Sequence, residues 1–208
     1  MKSFDRVAKI YRPLEHLAFG SDLMKTRTAF LADLTDARRV LILGEGDGRF
    51  VEQLLRVNPY CQVDCVDKSR EMLRLARKRA TPKRVTFYHH DALTFAYPAR
   101  HYDLIITLFF LDVFTRTSLE YLVGKLAGSL KRGGYWYVAD FSVPAHPLKK
   151  LHSLLWLHVM YRFFTWQTDM ETRTLVDPTP CLLKNGLRPV KTHHRRFGML
   201  YSELLQKV

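Results

Sequence analysis

The stretch Arg39-Val-Leu-Ile-Leu-Gly44-Glu-Gly-Asp-Gly48 decides the fold. A short, continuous apolar run closed by glycine is the pattern of a strand buried on both faces, as in a parallel sheet. Residues 49–57 follow as a helix with Phe50, Leu54, Leu55 and Val57 on its apolar side. The alternation then repeats. Gln62–Val66 reads as a strand, and Ser69 is placed to cap a helix running to about Arg79. Val85–Tyr88 and Tyr102–Thr107 read as strands, residues 117–130 as a helix, and Gly133-Gly134 as a turn into a strand at Tyr135–Ala139. Strands alternating with helices predict an α/β, doubly wound, mostly parallel sheet.

The flanks differ from this core. Residues 4–36 read as two helical pieces broken at Pro13 and Gly20, and residues 148–164 as a long helix apolar nearly all round. Asp177-Pro178 starts a short helix that Gly186 ends. Leu187–Arg195 and Met199–Leu205 form a closing antiparallel hairpin around Phe197-Gly198, which brings the sheet to seven strands. With no repeat or linker in the chain, one domain is expected over 1–208: a helical lid at 1–36, a cofactor-binding core at 37–142, and a substrate-side helix with the closing hairpin at 143–208.

Composition narrows the classes. Of 208 residues, 47% are hydrophobic and 25% charged, which excludes a disordered tail and a fibrous protein. Lys and Arg number 33 against 20 Asp and Glu, a net charge of +13 that bears on partners rather than on fold. Cys61, Cys65 and Cys181 lack zinc-site spacing and read as reduced thiols. The first residues carry charges throughout without a signal-peptide core, no apolar run reaches a membrane span, and a cytoplasmic location is expected.

Ligands of parallel sheets bind outside the carboxyl ends of the strands. The loop Gly44-Glu-Gly-Asp-Gly48 lets backbone approach a ligand closely. It departs from the dinucleotide pattern, with Arg49 where the third glycine would stand, and it lacks the Lys-Ser/Thr of a P-loop. Two acids in the loop disfavour phosphate and favour a cationic ligand. Asp67 ends the second strand, where an acid can accept from a ribose diol. Asp91 follows the third strand, placed to accept from an adenine amine. An adenosine with a cationic, phosphate-free tail is S-adenosylmethionine. Each residue has a plainer use: Asp67 as a helix cap, Asp91 as a turn cap, Met72 as core, Asp47 as a solvated loop acid.

With these motifs, joined by Val66-Asp67-Lys68-Ser69, Asp91-Ala92, Tyr102-Asp103 and Leu130-Lys-Arg-Gly-Gly134, the chain resembles the class I S-adenosylmethionine-dependent methyltransferases. Phe4-Asp5-x-x-Ala8-x-x-Tyr11 with Phe19-Gly20 is weakly similar to the quinone-biosynthesis C-methyltransferase branch. The resemblance implies Gly44, Glu45 and Gly46 at the methionine moiety, Asp67 and Lys68 at the ribose, Asp91 and Ala92 at the adenine, and Thr107 in the site's floor. Ile42 stands where the family carries an acid that helps hold the cofactor's ammonium group, a role left to Glu45 or Asp47.

The cofactor supplies the activated methyl, so the protein mainly positions and desolvates the reactants. Tyr11, by resemblance, and Asp112, after the fourth strand, are the candidate catalytic residues; Asp112 could instead pair with Arg116. The Asn/Asp-Pro-Pro-Tyr/Phe tetrapeptide of adenine and glutamine methyltransferases is absent after the fourth strand, and so is a nucleophilic cysteine. Asp112 and Asp140 fall where metal-dependent O-methyltransferases place ligands, but Phe141 replaces an Asn, so no metal is expected. The expected acceptor is a small apolar or aromatic molecule, lipid-like and drawn from an anionic membrane surface, methylated at carbon or oxygen. The alternatives are an RNA methyltransferase using the basic run Lys68–Arg84, and a non-catalytic cofactor-binding protein.

Overall fold

The computed structural model describes residues 19–80, 83–144, 146–147, 153 and 175–208. Residues 1–18 of the expected lid, with Tyr11, and the long apolar helix at 148–164 apart from Ser153 lie outside these residues.

Short helix α1 (Asp22–Arg27) leads through a 3₁₀ turn into β1 (Arg39–Leu43). Then come α2 (Arg49–Val57), β2 (Gln62–Asp67), α3 (Arg70–Arg79), β3 (Val85–His89), β4 (Tyr102–Leu108), α4 (Arg116–Ser129) and β5 (Leu130–Phe141). The chain closes with α5 (Thr179–Lys184), β6 (Leu187–Arg195) and β7 (Leu200–Lys207). The seven strands lie in the order β3-β2-β1-β4-β5-β7-β6. The first five are parallel, and β7 runs antiparallel between β5 and β6. The strand order reverses at β1/β4, so their carboxyl ends open the crevice that binds ligands in such sheets.

Every residue from Val40 to Leu43 is buried, as a run covered on both faces requires. One core layer joins Leu41, Leu43, Ile105 and Trp136 to α4 and α5. The other joins Val40, Ile42, Leu104, Ile106 and Tyr137 to α2. Burial of these side chains contributes roughly 1.5–3 kcal/mol each.

Local chemistry sets the element ends. The Ser69 hydroxyl accepts the Met72 N–H as the cap of α3, and Asp177 accepts the Thr179 N–H ahead of α5. Two expectations change. Val57 is partly exposed, and Val51 takes the buried position on α2. Gly133-Gly134 is not a turn ahead of a strand: β5 already starts at Leu130, and the glycines sit where its pairing with β4 shifts register between Tyr102 and Leu104. Outer strand β6 also shifts register, between Pro189 and Lys191.

Candidate active site

β1 delivers the chain into the glycine loop. Gly44 and Gly46 have φ of +64° and +71°, which only glycine adopts without strain. The Gly44 N–H donates to the carbonyl of Val66, which fixes the loop beside the end of β2. Space is open where a Cβ on Gly46 would point, whereas at Gly44 a Cβ would fall 2.3 Å from the Phe110 ring. Gly48 serves a different purpose. It caps α2 at φ +88°, and a Cβ there would lie 2.6 Å from Cα of Ala76 in α3. The glycine one residue early in the motif therefore sets the approach of two helices.

The loop acids are held firmly. Asp47 accepts from Arg49 at 2.8 Å, with Arg79 at 3.7 Å, so it is an ion-paired residue rather than a solvated loop acid. Glu45 turns its carboxyl inward, and Oε1 accepts the Phe50 and Val51 N–H groups of the first turn of α2. Oε2 is buried with no partner among the described residues. Burial pushes the Glu45 carboxyl up to about 8, against the opposing pull of those N–H groups and of Arg27. Glu45 shares a small cleft with Ile42, Arg27, Arg49, Phe50 and Leu108. Position 42 carries no acid, and the Glu45 carboxyl lies in the same cleft.

Asp67 ends β2, and its Oδ1 accepts the Ser69 N–H, which orients the carboxylate. The helix cap is Ser69, so Asp67 is not needed there. Asp91 is engaged twice: Oδ1 accepts the Leu93 N–H, as its turn-capping reading requires, and Oδ2 receives the Lys68 ammonium at 2.8 Å. Burial raises the Asp91 carboxyl, but the Lys68 contact and the Leu93 N–H outweigh it and hold the group below its ordinary value. Asp67, Lys68, Asp91 and Ala92 thus come together at the carboxyl ends of β2 and β3. Met72 is buried, as its core reading has it.

Thr107 requires a correction. It is fully buried, and its Oγ1 accepts from Trp136 Nε1 at 2.9 Å. It holds the core beneath the site, while its neighbour Leu108 lines the cleft. Asp112 departs from its alternative reading as a partner of Arg116. It is 5% exposed, in the 3₁₀ turn Leu111–Val113, and no ion pair among the described residues joins it to Arg116. It lies beside Asp140, whose carboxyl is driven well above the carboxylate range by burial and then by the Asp112 charge. No group of three or more metal-ligating side chains occurs among the described residues.

Phe109 and Phe110, in the candidate run Leu108–Asp112 after the fourth strand, were given no role from sequence. Phe109 follows β4 at φ +56°, an uncommon conformation for a bulky residue. Its ring lies 5.0 Å from Phe141 and 5.3 Å from the Arg27 guanidinium. Phe110 lies on Gly44. The aromatic pair after the fourth strand was the available signal, but sequence spacing could not aim the two rings.

These residues fit S-adenosylmethionine in three respects: open backbone at Gly46, an oriented carboxylate at Asp67, and a buried acid at Glu45 for a cationic tail. Residues 40–134 match the family described as "Methyltransferase domain". The demethylmenaquinone methyltransferase of Thermus thermophilus is 31% identical over 145 residues, covering 68% of this chain and 65% of that protein. The malonyl-[acyl-carrier protein] O-methyltransferase of Bacillus cereus is 32% identical over 89 residues, 43% of this chain and 31% of that protein. The chain therefore spans less than two thirds of either relative. Among solved structures, human N-acetylserotonin methyltransferase in complex with S-adenosylmethionine superposes with a TM-score of 0.69 at 19% identity, covering 99% of this chain and 56% of that one. Mitomycin 7-O-methyltransferase gives a TM-score of 0.71 at 15% identity, covering 99% and 61%. The chain carries a class I S-adenosylmethionine-dependent methyltransferase domain, weakly similar to the quinone C-methyltransferases.

Proposed function

We propose that this protein transfers the methyl group of S-adenosylmethionine to a small apolar or aromatic acceptor, at carbon or oxygen. The observation that carries this reading is the aromatic cluster at the mouth of the glycine loop. Phe109 packs on Phe141, Phe141 lies 5.7 Å from Phe19, and Phe110 covers Gly44. The bound cofactor supplies an electrophilic methyl on a sulfonium. The protein's part is placement and exclusion of water, worth on the order of 7–11 kcal/mol where the geometry is good. Gly44 and Gly46 bring backbone close, Asp67 and the Lys68–Asp91 pair address the adenosine, and Glu45 addresses the cationic end. We further propose that the acceptor is collected at an anionic membrane surface, which the net charge of +13 favours.

An RNA acceptor is less well supported by the basic run. Arg74 pairs with Glu71, Arg79 reaches Asp47 and Glu52, Arg77 stacks on Phe87, and Arg84 donates to the carbonyls of Leu55 and Asn58. Much of its charge is spent within the fold. Incubating the purified protein with labelled S-adenosylmethionine and either a lipid extract or total RNA separates the readings. Label is expected in the lipid fraction. Label in RNA alone, or in neither fraction, overturns the proposal.

A further inference from the structure

The sheet has two outer edges, β6 and β3, and they are built differently. At β6 the pairing slips between Pro189 and Lys191. At β3 the pairing with β2 runs unbroken from Val85 to His89, and the strand contains no proline. The Val63 N–H donates to the Arg84 carbonyl, and the His90 N–H to the Asp67 carbonyl. A parallel ladder that begins and ends on those bonds joins Thr86 and Tyr88 to β2, so the backbone groups of Val85, Phe87 and His89 face outward. Among the described residues no acceptor takes the Phe87 and His89 N–H groups, and the Phe87 carbonyl meets only the Arg77 guanidinium, at 3.5 Å.

The two sides of this edge differ in chemistry. Toward α3, Arg77 lies 5.6 Å over the Phe87 ring. Arg77, Lys78 and, just ahead of the strand, Lys83 are exposed, and no ion pair among the described residues engages them. The nearby acids are already committed, Glu71 to Arg74 and Asp91 to Lys68. On the other side Tyr88, 37% exposed, packs on Phe95, and Phe95 on His90. A regular open edge takes up an extended chain: main-chain hydrogen bonds give the affinity, and side chains alternating between the two faces give the specificity. We propose that β3 is the docking edge for an acidic, extended segment of a partner protein, which adds a strand to the sheet with carboxylates toward Arg77 and apolar side chains toward Tyr88. Charge selects this occupant. A second copy of this chain would bring the same cations and a net charge of +13 to the same edge. A nucleic acid offers phosphates to the cations but no strand backbone to the Phe87 and His89 amides. The surface is independent of the methyl-transfer reading.

The test titrates the whole chain with a capped peptide of alternating Glu and Val, with the same peptide methylated at every backbone nitrogen, and with its Lys-Val counterpart. The Glu-Val peptide is expected to bind saturably, and at least about tenfold more tightly than either control, because one control keeps the charge without the donors and the other keeps the donors with the wrong charge. Amide hydrogen exchange of the complex is expected to slow at Phe87 and His89. His89→Pro removes an outward N–H at a place where an edge strand tolerates proline, and is expected to weaken the Glu-Val peptide at least about tenfold with every cation retained. Arg77→Gln with Lys83→Gln is expected to weaken it by about tenfold and to shrink its advantage over the Lys-Val peptide. Should one variant fail to fold, the other and the exchange pattern of the unaltered chain decide the question. Equal binding of the methylated peptide, which would show charge attraction alone, overturns the proposal. So do the absence of saturable binding, protection confined to amides away from β3, and protection of Phe87 and His89 by self-association of the chain or by an oligouridylate in preference to the peptide.

Discussion

Glu45 shows how a single side chain can carry a pH dependence. Its folded value of about 8 lies above the ordinary 4.5, so the folded chain holds a proton there that the unfolded chain has released. The contribution to stability is present below the unfolded value and is lost as pH rises toward 8, at up to about 1.4 kcal/mol per unit. Glu45→Gln is expected to flatten the urea-unfolding midpoint between pH 5 and about 8, with the largest gain over the unaltered protein near pH 8. Calorimetry of S-adenosylhomocysteine in two buffers of different ionisation enthalpy should show proton release on binding, because a cationic ligand favours the ionised acid. Identical heats after buffer correction remove Glu45 from the ammonium site. At Asp67 the Ala variant is expected to bind that ligand about 10- to 100-fold more weakly, since hydrogen bonds to charged groups contribute roughly 1.5–3 kcal/mol. Unchanged affinity in a folded variant rejects the ribose role. Asp67 was legible in the sequence because strand ends and loop spacing are local. Asp112 was named a candidate, but its burial was not legible because it lies beside Asp140, 28 positions along the chain.

The elements were read largely correctly where pattern and packing agree. β1 is apolar from Val40 to Leu43 because both of its faces are covered there, and that made it readable. Gly133-Gly134 was misread because glycine marks a bulge as readily as a turn, and the difference lies in how β4 pairs. At Gly48 the contact is between α2 and α3, which sequence leaves undefined. Gly48→Ala is expected to cost on the order of 1–3 kcal/mol from its left-handed backbone, plus whatever the helices must yield to relieve the 2.6 Å approach to Ala76. Gly46→Ala has the same backbone cost with open space around it, so thermal unfolding of the two variants should differ by the packing term alone. Equal losses would show that α2 and α3 separate freely.

Across the whole molecule the excess positive charge is unevenly committed. Much of α3 is paired within the fold; on β6, the strand at the outer edge of the sheet, Arg188, Lys191 and His194 stay exposed even though Lys191 pairs with Asp33 and Arg188 donates to the Leu183 and Leu187 carbonyls. Flotation with vesicles is expected to show binding to anionic but not neutral membranes, released by salt, at roughly 1 kcal/mol per basic residue near the surface. Absence of binding at low salt removes the membrane from the proposed function. The seven-stranded, mostly parallel sheet was legible from the alternation of strands and helices, but its order, with β7 between β5 and β6, was not. Nor was the aromatic cluster, because it depends on how Phe19, Phe109 and Phe141, far apart in the chain, come together.

The irregular pairing at Pro189 and Lys191 bears on how the molecule behaves in a crowded solution. An outermost strand offers its free edge to any other chain, and regular, uncharged edges recruit neighbours into growing aggregates. In β6 a residue without an N–H, a slipped register and an exposed lysine interrupt that edge. The molecule is thereby kept from polymerising through its own sheet. Pro189→Val is expected to restore a continuous edge and raise light scattering on storage, without a matching loss of cofactor binding.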